Sequence, residues 1–333
     1  LLPEMCIPGY SLGDRLPRKG TLERSWDSLQ DLLPYTHGMI VCLGLPLAHN
    51  GVLFNAMAVC ADGKIGGLVA KENLATGDVE YESRWYSPWR HGVVEQFVAP
   101  DGTTHLLGSQ IFEAPGIGRF GIEICEDGWK GIRPGSTFVL SGCEILLNPS
   151  ASWFHIGKHA TRRRLVEQVS KEDHVAYLYT SLLGCDATRI VFDGSVLIAS
   201  DGKMLQEGKR FVFEHSIEMV DQILDLQALR QARREEGSWR EQAHRAANGE
   251  FGKNPVINSL TGNFGTGVPV PADPPYWEVS PEPPADASLE WLHLNGHCGP
   301  ITHSDVPHLE LELAIAIGLR DYTSKCGIKK IAL

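Results

Sequence analysis

The sequence predicts an α/β (α+β) fold built in layers, and three observations point to it. Short β-rich runs recur along the chain, with stretches of helical period between them. Asp62-Gly63 and Asp201-Gly202 each follow one strand run and precede another, which marks a hairpin. Strands that alternate with helices, together with hairpins, pack as sheets covered by helices.

The elements follow in order. A helix is expected over 21–33, where Leu22, Trp26, Leu29 and Leu33 share one side. Residues 39–45 and 51–60 are apolar strands, and the Asp62-Gly63 turn leads into a third strand over 64–70. A second hairpin is expected between 104–113 and 118–125, across Pro115-Gly116. A helical stretch, a strand over 144–147 and a loop over 148–152 come next. A basic helix over 157–172 then turns Leu165, Val166 and Val169 inward. Strands over 175–180 and 195–199 and one after Asp201-Gly202 complete a domain that closes near Leu226.

Beyond Leu229 the composition changes. A charged helix over 230–245 precedes Pro- and Gly-rich sequence, including 269–275 and 281–284, which reads as a linker. Ser304 or Asp305 can cap a last helix, with Pro307 in its first turn and Leu309, Leu313, Ile317 and Leu319 at helical spacing. Residues 329–333 read as the opening of a strand. A short helix and part of a strand do not make a domain. The sequence is therefore expected to be a piece of a longer protein at both ends. The expected organisation is a domain over 1–226, a linker over 227–303 and the start of another domain over 304–333.

Composition excludes some functions. The 333 residues are 43% hydrophobic and 21% charged, ordinary for a globular chain. A formal net charge of -11 argues against a nucleic-acid-binding surface. No apolar run approaches the roughly 18 residues of a membrane span. The eight cysteines form no C-x-x-C pair and the histidines show no metal-ligand spacing, so neither a zinc site nor a disulfide framework is expected. Several cysteines sit in apolar runs, which suits reduced thiols and a cytoplasmic location.

The chemistry centres on residues 119–129, Arg-Phe-Gly-Ile-Glu-Ile-Cys-Glu-Asp-Gly-Trp. Phe120, Ile122 and Ile124 alternate as in a strand, and Cys125 follows where the chain turns. A thiol at a strand end is placed as a nucleophile would be, although a buried cysteine that merely packs fits the same segment. Glu4 and Lys71 also stand at strand ends. A carboxylate, an ammonium and a thiol at the ends of strands would converge at one sheet edge, the carboxylate as base and the ammonium as stabiliser of thiolate and oxyanion.

These segments resemble the Glu-Lys-Cys triad of the nitrilase (carbon–nitrogen hydrolase) superfamily, in order and in neighbours. The closer resemblance is to the glutaminase domain of glutamine-dependent NAD⁺ synthetases. It rests also on residues 81–89, 148–152, 183–186 and 192–195, and on residues 309–322, which are similar to the first helix of the synthetase domain. The resemblance implies a four-layer α-β-β-α nitrilase-like sandwich, clipped before its first strand. It implies hydrolysis of the glutamine side-chain amide through a thioester, with Glu4 as base, Lys71 as stabiliser, Cys125 as nucleophile and Glu82 in support. The backbone N–H of Glu126 would donate to the oxyanion. Ser152 and Lys158 would hold the amino-acid end of glutamine, with lysine where arginine is familiar, and Tyr81 would also contact substrate. The step would need no cofactor, whereas a synthetase domain beyond residue 333 would use ATP and Mg2+ to make NAD⁺ from its deamido precursor. The expected partners are glutamine, that synthetase domain and further copies of the chain. A stand-alone nitrilase-like amidase and a non-catalytic interaction domain are the alternatives. A solvated helix face is the expectation for Arg162, Arg163 and Arg164.

Overall fold

Strands that are apolar on both faces build the centre of two sheets, and successive side chains of each strand enter different layers. The computed structural model describes residues 1–77, 79–185, 190–213, 217–264, 301–302 and 304–330. The first sheet holds β1 (Ile40–His49), β2 (Val52–Ala61), β3 (Lys64–Ala70), β4 (Val94–Val98) and β5 (Thr104–Gly108), in the order β1-β2-β3-β5-β4. The second holds β6 (Gln110–Ala114), β7 (Gly118–Ile122), β8 (Ile145–Ser150), β9 (Ala176–Ser181), β10 (Val196–Ser200), β11 (Lys203–Glu207) and β12 (Val256–Ser259). Its order is β11-β10-β9-β8-β7-β6-β12.

Strand β2 shows how the layers form. Phe54, Ala56, Ala58 and Cys60 pack toward Trp26 and Leu29 of helix α1 (Lys19–Leu32). Met57, Val59 and Ala61 face the other way, against Phe112, Phe120 and Ile122 of the second sheet. The far face of that sheet, with Leu146, Tyr177 and Leu197, meets Phe138 and Val139 of helix α2 (Pro134–Leu140) and Val166 and Val169 of helix α3 (Lys158–Glu172). Three apolar cores thus separate four layers, α-β-β-α, as expected. Each fully buried leucine or valine contributes about 1.5–3 kcal/mol to that stack.

The hairpin at Asp62-Gly63 forms as read, pairing Ala61 with Lys64. A second, between β1 and β2, turns at Asn50 and Gly51, whose φ of 51° and 78° suit a two-residue loop. The expected strand over 104–113 is two strands. It breaks at Gly108, where φ is 134° and a Cβ would lie 2.1 Å from Val93 O, so the chain leaves one sheet and enters the other. The expected loop over 148–152 is strand as far as Ser150. Pairing of β8 with β7 stops at Leu147, so the missing N–H of Pro149 falls on an unpaired side.

The stretch read as a linker is in part a packed layer. The charged helix is two helices, α4 (Leu226–Glu235) and α5 (Gly237–Ala247), broken at the extended Glu236. Arg233 is buried and donates to His174 O at 2.9 Å and Cys143 O at 2.7 Å. Strand β12 then joins the second sheet parallel to β6, and Leu260 enters the core between the sheets. The Pro-rich residues 269–275 and 281–284 lie outside the described residues. The last helix, α6 (Val306–Lys325), is the one expected, with Pro307 in its first turn. Residues 329–330 form no strand, and 331–333 lie outside the described residues.

The segment that carries Glu4 runs beside β1, with Leu2 N–H on Cys42 O at 3.1 Å and Ile7 N–H on Gly44 O at 3.1 Å. Gly44 makes this approach possible, because a Cβ there would lie 2.2 Å from Met5 N. Gly44→Ala is expected to lower stability by about 1–3 kcal/mol, read as a lower unfolding midpoint in denaturant.

Candidate active site

Four chain segments meet at one buried cluster. Lys71 follows β3 directly, and its Nζ donates to Glu4 Oε1 at 2.7 Å and to Glu82 Oε1 at 2.8 Å. All three side chains are buried. The remaining valences are filled by groups aimed inward. Asn55 of β2 donates to Glu4 Oε1 at 2.7 Å, and Ala151 N–H donates to Glu4 Oε2 at 2.7 Å. Tyr10 OH donates to Glu82 Oε1 at 2.9 Å, and Ala75 N–H donates to Glu82 Oε2 at 2.7 Å. Two buried carboxylates face one buried ammonium, and a proton relieves the excess negative charge. Burial pushes Glu4 up to about 7, with Glu82 adding to the rise and Lys71 opposing it.

Cys125 opens a 3-10 turn (Cys125–Trp129) immediately after the extended Ile124. Its φ of 48° is in the left-handed region, a strained conformation for a residue with a side chain. The thiol is buried, and burial raises its pKa. Glu4 and Glu82 add to that rise, while Lys71 and a hydrogen bond with Ser150 oppose it. The thiol therefore lies within electrostatic reach of the whole Glu4-Lys71-Glu82 cluster.

Asp127 locks this turn to the lysine. Its carboxylate accepts Ile124 N–H at 2.9 Å, Asn73 N–H at 2.7 Å and Asn73 Nδ2 at 2.9 Å. One buried side chain thus fixes both the residue before Cys125 and the loop after Lys71. Asn148 Nδ2 also reaches Cys125 O at 3.4 Å.

The other expected site residues lie around this cluster. Glu126 pairs through its side chain with Lys130. Ser152 is buried, and its Oγ accepts from Arg162 Nη2 at 3.3 Å. It does not cap the following helix, whose cap position is Gly157. Lys158 Nζ lies 4.3 Å from the centre of the Trp153 ring, and Trp153 Nε1 donates to Glu80 Oε1 at 2.7 Å. Burial lowers the Lys158 pKa, whereas Glu80 and Cys125 raise it, so the ammonium is within electrostatic reach of the thiol. Tyr81 is half exposed and lines a cavity of about 350 Å³ with Tyr10, Glu80, Glu82 and Ile190. Arg162 corrects the expectation of a solvated face. It is wholly buried, with Nη1 on Asp193 Oδ1 at 2.7 Å and Oδ2 at 2.8 Å. Among the described residues no group of three or more His, Cys, Asp or Glu is arranged to hold a metal ion.

Residues 1–234 match the family model described as carbon-nitrogen hydrolase. The chain belongs to the carbon-nitrogen hydrolase family. Within it, the chain is similar to the glutamine-dependent NAD(+) synthetase of Saccharomyces cerevisiae, at 30% identity over 240 residues, 69% of this chain and 34% of that one. That of Macaca fascicularis is 31% identical over 255 residues, 74% of this chain and 36% of the relative. The chain thus spans about a third of the length of these curated relatives. A crystal structure of a glutamine-dependent NAD(+) synthetase from Cytophaga hutchinsonii superposes with a TM-score of 0.59 at 33% identity, covering 64% of this chain and 35% of that one. A carbon-nitrogen hydrolase from Helicobacter pylori G27 shares the fold, with a TM-score of 0.50 at 18% identity over 71% of this chain and 80% of that one.

Sequence reasoning missed Asn55, Tyr10 and Asp127 in this hydrolase. Asn55 had a signal, as a lone amide in the apolar run of β2. The roles of Tyr10 and Asp127 had none, since a tyrosine in a loop and a carboxylate in a turn are ordinary.

A base that titrates near neutrality should leave a mark on the thiol. Site-resolved alkylation of Cys125 by iodoacetamide is expected to slow about tenfold per pH unit below about 7, as Glu4 takes up its proton. Glu4→Gln should be slower throughout and lose that inflection, as followed by mass spectrometry of the Cys125 peptide.

Proposed function

We propose that this hydrolase domain cleaves the side-chain amide of glutamine through a thioester on Cys125. The observation that carries the reading is the buried cluster of Glu4, Lys71 and Glu82 beside a thiol held in a strained turn. Similarity to glutamine-dependent NAD(+) synthetases supports glutamine as the amide.

Burial keeps the resting thiol protonated, so attack needs a base at hand. Glu4 takes the Sγ proton as sulfur bonds to the amide carbon. The carbonyl π pair moves onto oxygen, where Lys71 Nζ and the backbone N–H of Glu126 meet the negative charge. Glu4 then passes its proton to the amide nitrogen, the C–N bond breaks and ammonia leaves. Water, deprotonated by Glu4, adds to the thioester carbon. The C–S bond breaks, glutamate is released and the proton returns to sulfur. Glu82 accepts a second hydrogen bond from Lys71 Nζ and so helps to fix its direction.

Ser152, Lys158 and Tyr81 are assigned to the amino-acid end of glutamine. Lysine meets the carboxylate as a point charge, not as a bidentate fork. Its position over Trp153 limits where that charge can sit. In the whole protein the ammonia would serve an ATP- and Mg2+-dependent synthetase domain that converts deamido-NAD⁺ to NAD⁺. We further propose a homo-oligomer in the cytoplasm, on the resemblance to the superfamily and on the placement of Cys42 and Cys60 in buried apolar strands. No helix among the described residues is long and apolar enough to cross a membrane.

Cys125→Ala should reduce ammonia release from glutamine to background, measured by a coupled ammonia assay. Survival of the activity would overturn the assignment. Lys158→Ala should raise KM for glutamine roughly 10- to 100-fold, the loss of about 1.5–3 kcal/mol in one charged contact. The same change should leave hydrolysis of an amide without a carboxylate, such as butyramide, unaltered.

A further inference from the structure

Helix α6 lies beyond the residues that match the family model, yet one of its carboxylates reaches the loop that carries Ser152 and Lys158. Glu310 is buried. Its Oε2 accepts Gly157 N–H at 3.3 Å, one residue before Lys158. Its Oε1 accepts Arg210 Nη2 at 2.6 Å. Arg210 Nη1 donates to Asp193 Oδ2 at 3.3 Å, and Asp193 holds Arg162 through both oxygens. Arg162 Nη2 then donates to Ser152 O at 2.9 Å and to Ser152 Oγ. One carboxylate therefore holds both ends of the loop, directly at Gly157 and through three buried charged side chains at Ser152.

The middle of the loop is held by the same helix. Phe154 packs edge-on to Phe211, with ring centres 5.1 Å apart, in a cluster with Leu313, Ala314 and Ile317 of α6. The charges alternate along the chain Glu310, Arg210, Asp193, Arg162, so each arginine beyond the first carboxylate has an acceptor on either side. Such a network is satisfied as a unit, and neutralising one end redistributes the rest.

We infer that Glu310 is a positioning residue that sets the spacing between Ser152 and Lys158, and with it the fit of the amino-acid end of the substrate. The inference rests on the glutaminase reading for its substrate, but not for its geometry. Glu310→Gln in the full chain keeps the shape of the side chain and removes its charge. It is expected to raise KM for glutamine at least fivefold, to change kcat less than twofold, and to speed hydrogen exchange at the backbone amides of residues 152–158. Glu310→Asp keeps the charge and should recover part of the KM. Asp321→Asn neutralises a different carboxylate of the same helix, the one that accepts Cys185 N–H at 2.8 Å, and should leave KM unchanged. An unchanged exchange rate over residues 152–158 in a folded Glu310→Gln protein would overturn the inference. So would an equal rise in KM from Asp321→Asn. If Glu310→Gln does not fold, Glu310→Asp decides by the same two readouts, and wild-type KM and exchange in that variant count against the role. Wild-type protein that releases no ammonia from glutamine would refute the glutaminase reading alone, because hydrogen exchange still decides the role of Glu310.

Discussion

A buried ammonium held by two buried carboxylates is the constraint on which the rest of the site depends. Lys71 can be charged there only because Glu4 and Glu82 are beside it, and they can be there only because Lys71 is. Removing one member of such a set leaves an uncompensated buried charge, at a cost of about 3–5 kcal/mol. The set has a chemical consequence. Burial, with the Glu82 charge adding to it, raises Glu4 to about 7, so the same group can take a proton and return it at ordinary pH. The partners that stabilise the cluster come from β2, from the loop after Lys71, from the segment before β1 and from the end of β8. The two sheets are therefore joined by polar contacts at this point as well as by their apolar faces.

The thiol is organised by a different device. Its turn is strained, and Asp127 holds the strain by tying Ile124 to Asn73. Nucleophile and ammonium thus cannot drift apart without breaking one buried carboxylate's contacts. Preorganisation of this kind matters because a small misplacement of reacting groups costs far more rate than stability.

Much of the layered fold was legible in the sequence. Continuous apolar runs in β1 and β2, alternation in β7, helical period in α1 and the inward residues of α3 marked what would be buried, and Asp62-Gly63 marked a turn. Lys71 and Cys125 were legible as residues at or just beyond a strand end, whereas Glu4, expected at the end of a strand, stands in a turn of a segment that runs beside β1 without forming a strand. Other features depend on what packs nearby in space. Gly108 divides one apparent strand because of Val93, far from it in neither sequence nor space but silent in any pattern of hydrophobicity. Arg162 reads as one of three surface arginines until Asp193, 31 residues away, is brought against it. Residues 226–260 look like a spacer because they are charged and short of apolar residues, and their docking rests on a few long-range contacts such as those of Arg233.

Strand β12 has a consequence for the behaviour of this domain in solution. Without it, β6 would be the last strand of the seven-stranded sheet and would present an open ladder of N–H and C=O groups along its length. An open, regular edge of that kind is a template for another chain. The strand that covers it is only four residues long, so the edge it leaves in turn is a poor template. Colloidal behaviour of the hydrolase domain is therefore set partly by a short strand from beyond its family boundary, and a version trimmed to residues 1–234 trades a closed border for a sticky one.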